Sequence, residues 1–128
     1  MFELAAAIGR ESLAVGTALG YRIEPIFGLS ADEFAGSDDE NLMTAMKALL
    51  GHVGSRSRTA PIHDHLKGRR SEMEYITGVV TRKGRELGIP TPFNDAVLEL
   101  DRRINAGELP MDPSNFDLLK KMVGLSAQ

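Results

Sequence analysis

Between Asp64 and Asn94 the chain gathers the side chains best suited to chemistry. His63 and His65 flank Asp64, a grouping that invites a metal ion. Residues two apart on a helix point to different sides, and no further histidine, cysteine or acid stands at a ligand spacing such as HExxH. These two histidines, and His52 with them, therefore read as structural. A polar turn follows, Gly68-Arg69-Arg70-Ser71-Glu72, and an amphipathic segment begins at once. A carboxylate opening a helix is favoured by the positive end of the helix dipole, and it can serve there as an orienting acceptor. Ser71 and Glu74 also fit a purely structural role, because a serine N-cap with glutamate three residues later is the pattern of a capping box.

The elements that must hold these residues are helical. From Glu72 to Leu87, Met73, Ile76, Val80 and Leu87 form an apolar stripe with Val79 beside it, while Arg82, Lys83, Arg85 and Glu86 make a wet face. Gly78 and Gly84 permit close contact with another helix. Gly88 and Pro90 stop the segment, Thr91 caps the next and Pro92 takes its first position. That next helix runs to Ala106 with Phe93, Ala96, Val97, Leu100 and Ile104 on one face. Gly107 ends it, and Pro110 and Pro113 frame a linker to a short helix, Ser114 to Met122.

Upstream, Phe2 to Leu19 carries Leu4, Ile8, Val15, Ala18 and Leu19 at helical spacing, with Gly20 as the stop. Its apolar pattern is already running at Phe2 with no capping residue before it, the opening expected of an internal start. Tyr21 to Leu29 is punctuated by Pro25 and Gly28 and reads as irregular, and Ser30 or Asp32 caps a single turn through Phe34. A further helix is expected from Asp38 or Asp39 to Val53, with Leu42, Met43, Met46, Leu49, Leu50 and Val53 as its stripe. Pro61 suits the first turn of the segment Ile62 to Lys67. No alternating run of convincing length predicts a strand. The expectation is an all-α single domain over residues 1–128, with five or six helices joined by short loops.

Composition narrows the function classes. The 128 residues are 42% hydrophobic and 26% charged, the balance of an ordinary globular domain. Fifteen basic against eighteen acidic residues give a formal charge of −3, which argues against binding along a nucleic acid backbone. The absence of cysteine rules out a disulfide framework and thiol chemistry and fits a reducing cytosol. Glu3 and Arg10 interrupt the N-terminal apolar run, which reads as neither signal peptide nor membrane span. Neither a GxGxxG turn nor a Walker loop occurs, so no nucleotide site is expected within this chain.

The order Asp64, three residues, Gly68-Arg69, one residue, Ser71-Glu72, and later Pro90-Thr91-Pro92-Phe93-Asn94, resembles the signature of the C-terminal helical domain of ketopantoate reductases (2-dehydropantoate 2-reductases). The resemblance runs from the first helix to about Leu109 and is most specific in this motif region. It implies an enzyme in which an N-terminal Rossmann domain binds NADPH and the helical domain closes over it. A 2-oxo acid, ketopantoate, would lie in the cleft between them and be reduced to a 2-hydroxy acid. Helical domains of this kind also imply a homodimer. Under the same resemblance Glu72 matches the active-site glutamate that helps hold the substrate and the catalytic lysine. Asp64, Arg69, Ser71 and Asn94 match motif positions of structural weight.

Two departures accompany the match. Four residues before Asp64 the family commonly has a serine that holds the substrate carboxylate; here that position is Ala60, with Thr59 the nearest hydroxyl. The family's catalytic lysine belongs to a helix that would precede Met1, and none of Lys47, Lys67, Lys83, Lys120 or Lys121 stands in a matching context. The resemblance therefore implies a helical half that lacks the Rossmann partner and is inactive alone. A stand-alone helical module for dimerisation or docking is the alternative.

Overall fold

In the computed structural model, residues 2–25, Ser30, Thr44, Lys47, Gly51 and 58–125 are described. Five helices are present among them and no strand, so the fold is all-α as the periodicity predicts. They are α1 (Phe2–Ala18), α2 (Ala60–Leu66), α3 (Met73–Leu87), α4 (Pro92–Asn105) and α5 (Asn115–Met122). The single turn expected through Phe34 and most of the helix expected from Asp38 or Asp39 to Val53 lie outside the described residues; of that helix, Thr44, Lys47 and Gly51 are helical. Packing divides the chain into two compact units, residues 1–57 and 58–128. No helix among the described residues is long and apolar enough to cross a membrane.

In the first unit, α1 buries Leu4, Ala6 and Val15, while Ala18 and Leu19 at its end are exposed. The second unit is built on the α3–α4 hairpin, with α5 packed on α4 and its Leu119 buried. Contacts between α3 and α4 run in opposite order along the two helices. Gly84 meets Thr91, Gly78 meets Leu98, and Ser71 reaches Asn105, so the pair is antiparallel.

The hairpin closes through a Schellman motif. The Gly88 N–H donates to the Arg85 carbonyl at 3.3 Å and the Ile89 N–H to the Gly84 carbonyl at 2.8 Å. Gly88 takes φ of 69°, a left-handed conformation that costs other residues about 1 kcal/mol or more. Arg85 then pairs with Asp95 at 3.2 Å across the closed end.

The buried face of α3 differs from the apolar stripe expected of it. Thr77, Gly78, Thr81 and Gly84 are buried against α4, whereas Ile76 and Leu87 are exposed and Met73 and Val80 only half-buried. The reason is distance. A Cβ on Gly84 would lie 2.8 Å from both the Ile89 carbonyl oxygen and Thr91 Cγ2, so the turn folds onto the end of α3 more closely than a larger side chain there would allow. Thr81 turns its hydroxyl back onto the Gly78 carbonyl at 3.1 Å, which satisfies this polar group in its buried position. Tyr75, Ile76 and Val79 are left on the outside, at 74%, 58% and 43% exposure.

Candidate functional site

The motif turn is closed on one buried carboxylate. Asp101, in the last third of α4, accepts on Oδ1 from His65 Nε2 at 2.8 Å and from the Ser71 hydroxyl. Its other oxygen accepts from Asn105 Nδ2 at 2.8 Å, and Asn105 Oδ1 in turn accepts the Ser71 N–H at 3.1 Å. The His65 and Asp101 side chains are 8% and 9% exposed, and Ser71 is buried with them. A carboxylate withdrawn from water to this degree is tolerable only when hydrogen-bonded, and here three donors meet it.

Serine, histidine and aspartate meet here, yet not in a nucleophile's order. In a hydrolytic triad the imidazole lies between hydroxyl and carboxylate, so that it can take the hydroxyl proton. Here the carboxylate lies between the other two, and the Ser71 oxygen is buried. The arrangement fixes backbone; it does not attack substrate.

By spacing Ser71 and Glu74 are candidates for a capping box, and the structure does not form one. Glu72 is the N-cap residue of α3 and makes no side-chain cap bond. Ser71 donates its hydroxyl to Asp101 and accepts only a long contact from the Met73 N–H, at 3.4 Å. Glu74 turns away to pair with Arg70 at 2.9 Å. The long-range carboxylate outcompetes the local cap because a charge-assisted bond is stronger than a neutral one.

Glu72 itself is exposed, at the head of α3. Positions 72, 75, 76 and 79 follow helical spacing, so the carboxylate shares a face with Tyr75, Ile76 and Val79. A hollow of about 940 Å³ lies along the other side of the hairpin. It is lined by Arg69, Ser71, Glu74, Leu98, Asp101 and Arg102 among others, and does not include Glu72. Three of its four arginines are committed: Arg70 to Glu74, Arg85 to Asp95, and Arg102 to Glu99 and Glu108.

The remaining motif residues are dispersed. Thr59 is exposed before α2 and makes no cap bond, and Ala60 is the first, exposed residue of α2. Asp64 is half-buried, and its carbonyl accepts from Lys67 and Arg69 as α2 ends on Gly68, whose φ is 66°. Arg69 is exposed. Asn94 is 1% exposed in the first turn of α4, consistent with a part in fixing that helix start. Among the described residues, no group of three or more histidines and acids is placed to hold a metal ion.

Asp101, Asn105 and His65 were not singled out for this role by sequence. A signal existed, since Asp101 falls seven residues after Asn94 and four after Val97, on the inner border of the apolar stripe, where a charge needs partners.

Comparison with known proteins bears on this arrangement. The family described as ketopantoate reductase PanE/ApbA C terminal matches residues 2–105. A 2-dehydropantoate 2-reductase of Archaeoglobus fulgidus is 27% identical over 107 residues, covering 84% of this chain and 30% of that protein. The chain thus spans under a third of the length of this relative. No solved structure matches the chain.

Proposed function

The chain belongs to the ketopantoate reductase C-terminal family, and from that premise we propose that it forms the substrate-side wall of a 2-oxo acid reductase. Ketopantoate is the substrate of this reading, and a Rossmann half holds NADPH. The observation that carries it is the position of Glu72, a free-standing carboxylate at the head of an exposed apolar helix face. Tyr75, Ile76 and Val79 form a surface that a nucleotide-binding half would cover, and covering it would bring Glu72 to the edge of a closed cleft.

The described residues do not fit NADPH. They contain neither a strand nor a glycine-rich phosphate turn, and the free backbone donors of such a turn are what hold a pyrophosphate. The part proposed for this chain is binding and orientation. Glu72 would accept hydrogen bonds from the substrate and from the lysine ammonium that the family uses, holding both in reacting geometry. Ala60, in place of the serine that commonly grips the carboxylate, leaves Thr59 as the nearest hydroxyl and favours a weaker hold on that end of the substrate.

Purified chain mixed with NADPH and ketopantoate should give no turnover; NADPH oxidation by the chain alone would refute the proposal. Adding the Rossmann half should restore reduction. Light scattering discriminates the alternative, a dimerisation module, which the same exposed face would also serve. A stable dimer indifferent to the Rossmann half would favour that module.

A further inference from the structure

A single oxygen of Asp101 takes both ends of the turn that leads to Glu72. His65 approaches from the end of α2 and Ser71 from the threshold of α3, and both donate to Oδ1. The turn between them carries Gly68 in a left-handed conformation and is braced internally by the Arg69 N–H on the Asp64 carbonyl, at 2.8 Å. The second oxygen grips Asn105, which takes the Ser71 N–H. Ser71 is therefore held by its amide and its hydroxyl together, and the next residue in the chain is Glu72.

The Glu72 carbonyl accepts the Tyr75 N–H at 2.9 Å, but its carboxylate makes no cap bond that would fix the side chain. Its place is set by its neighbours: Ser71 on one side, tied to Asp101, and α3 on the other, packed against α4 at Gly78 and closed on the turn at Gly84. A buried hydrophobic residue at position 101 would hold α2 and α4 together at lower cost in desolvation. What a carboxylate adds is direction, because three donors must meet it at defined angles.

We infer that Asp101 is a positioning residue for Glu72, acting through Ser71 and Asn105. The inference rests on the proposed role of Glu72 at the substrate cleft. It extends that site to a carboxylate that touches neither substrate nor cofactor, on a different helix and 29 residues further along the chain.

The test is a double-mutant cycle in the complete reductase, this chain together with its Rossmann half. Asp101→Asn keeps the size of the side chain and one acceptor oxygen for His65 and the Ser71 hydroxyl, but presents an amide nitrogen to the Asn105 amide, so the hold on the Ser71 N–H through Asn105 is lost. It should lower kcat/KM by about 10- to 100-fold, the scale of a small misplacement. Combined with Glu72→Gln, it should add little to the loss from Glu72→Gln alone, since both remove the same oriented carboxylate. Asn105→Ala, at the exposed end of α4, removes the Ser71 N–H acceptor without emptying the buried position and should show the same non-additivity. In the isolated chain, hydrogen exchange at the Ser71 amide should quicken at least tenfold in both variants while Thr81, mid-helix, is unchanged.

A purely structural role would make the effects of Asp101→Asn and Glu72→Gln multiply, which would overturn the inference. Impairment by Glu72→Gln with full activity in Asp101→Asn would also overturn it, and would leave the reading of Glu72 standing. Full activity in Glu72→Gln would overturn that reading and the inference with it.

Discussion

A methyl group on Gly84 would meet a backbone oxygen at 2.8 Å, and a backbone oxygen yields less readily than a side chain. Gly84→Ala is therefore expected to destabilise the second unit by about 1–3 kcal/mol, the range for overpacking a tight contact, as read from urea unfolding. Asp101→Ala should cost about 3 kcal/mol or more by the same measurement, because it leaves His65, Ser71 and Asn105 without their shared acceptor. At this scale the sequence was half legible. Glu72, Ser71 and Asn94 stood out by type and order, but the use of Ser71 did not, because its partners lie 30 and 34 residues away. Local pattern registers a cap three residues on and is blind to a carboxylate on the next helix.

Among the elements, α4 followed its sequence most closely: Thr91 before it, Pro92 in its first turn, and Ala96 buried in the stripe. Helix α3 was placed correctly in the chain and rotated wrongly about its axis, because periodicity weights large apolar groups while close helix packing selects glycine and threonine. The exposed side of α4 carries its own testable feature. Hydrogen bonds from Arg102 and then Arg103 hold the Glu99 carboxyl down from 4.5 to about 2. Its folded value lies below its unfolded one, so the stabilisation is complete above about pH 4.5 and is lost as pH falls toward 2. A carbon-detected titration of Glu99 should give a midpoint near 2, and Arg102→Gln should raise it. On α3, Ile76→Asp should leave the stability of the chain within about 0.5 kcal/mol, because the side chain is already exposed. The same variant should abolish association with the Rossmann half in a pull-down if that face is the covered one.

For the molecule as a whole, the all-α fold and the family were legible before any coordinates, the first from the lack of alternating runs and the second from the ordered motif between Asp64 and Asn94. What the sequence concealed was the division of labour within the motif. Its buried members hold the turn around Asp101, and its exposed member, Glu72, stands beside Tyr75, Ile76 and Val79 on a face that the second unit leaves open. On the proposed reading, a substrate site built in this way is complete only when another body covers that face. The most direct measurement is NADPH oxidation with ketopantoate by this chain alone, by the chain with its Rossmann half, and by the same pair carrying Glu72→Gln. The account predicts no activity, activity, and a loss of about 100-fold, respectively. Turnover by the chain alone, or an unimpaired Glu72→Gln pair, would contradict it.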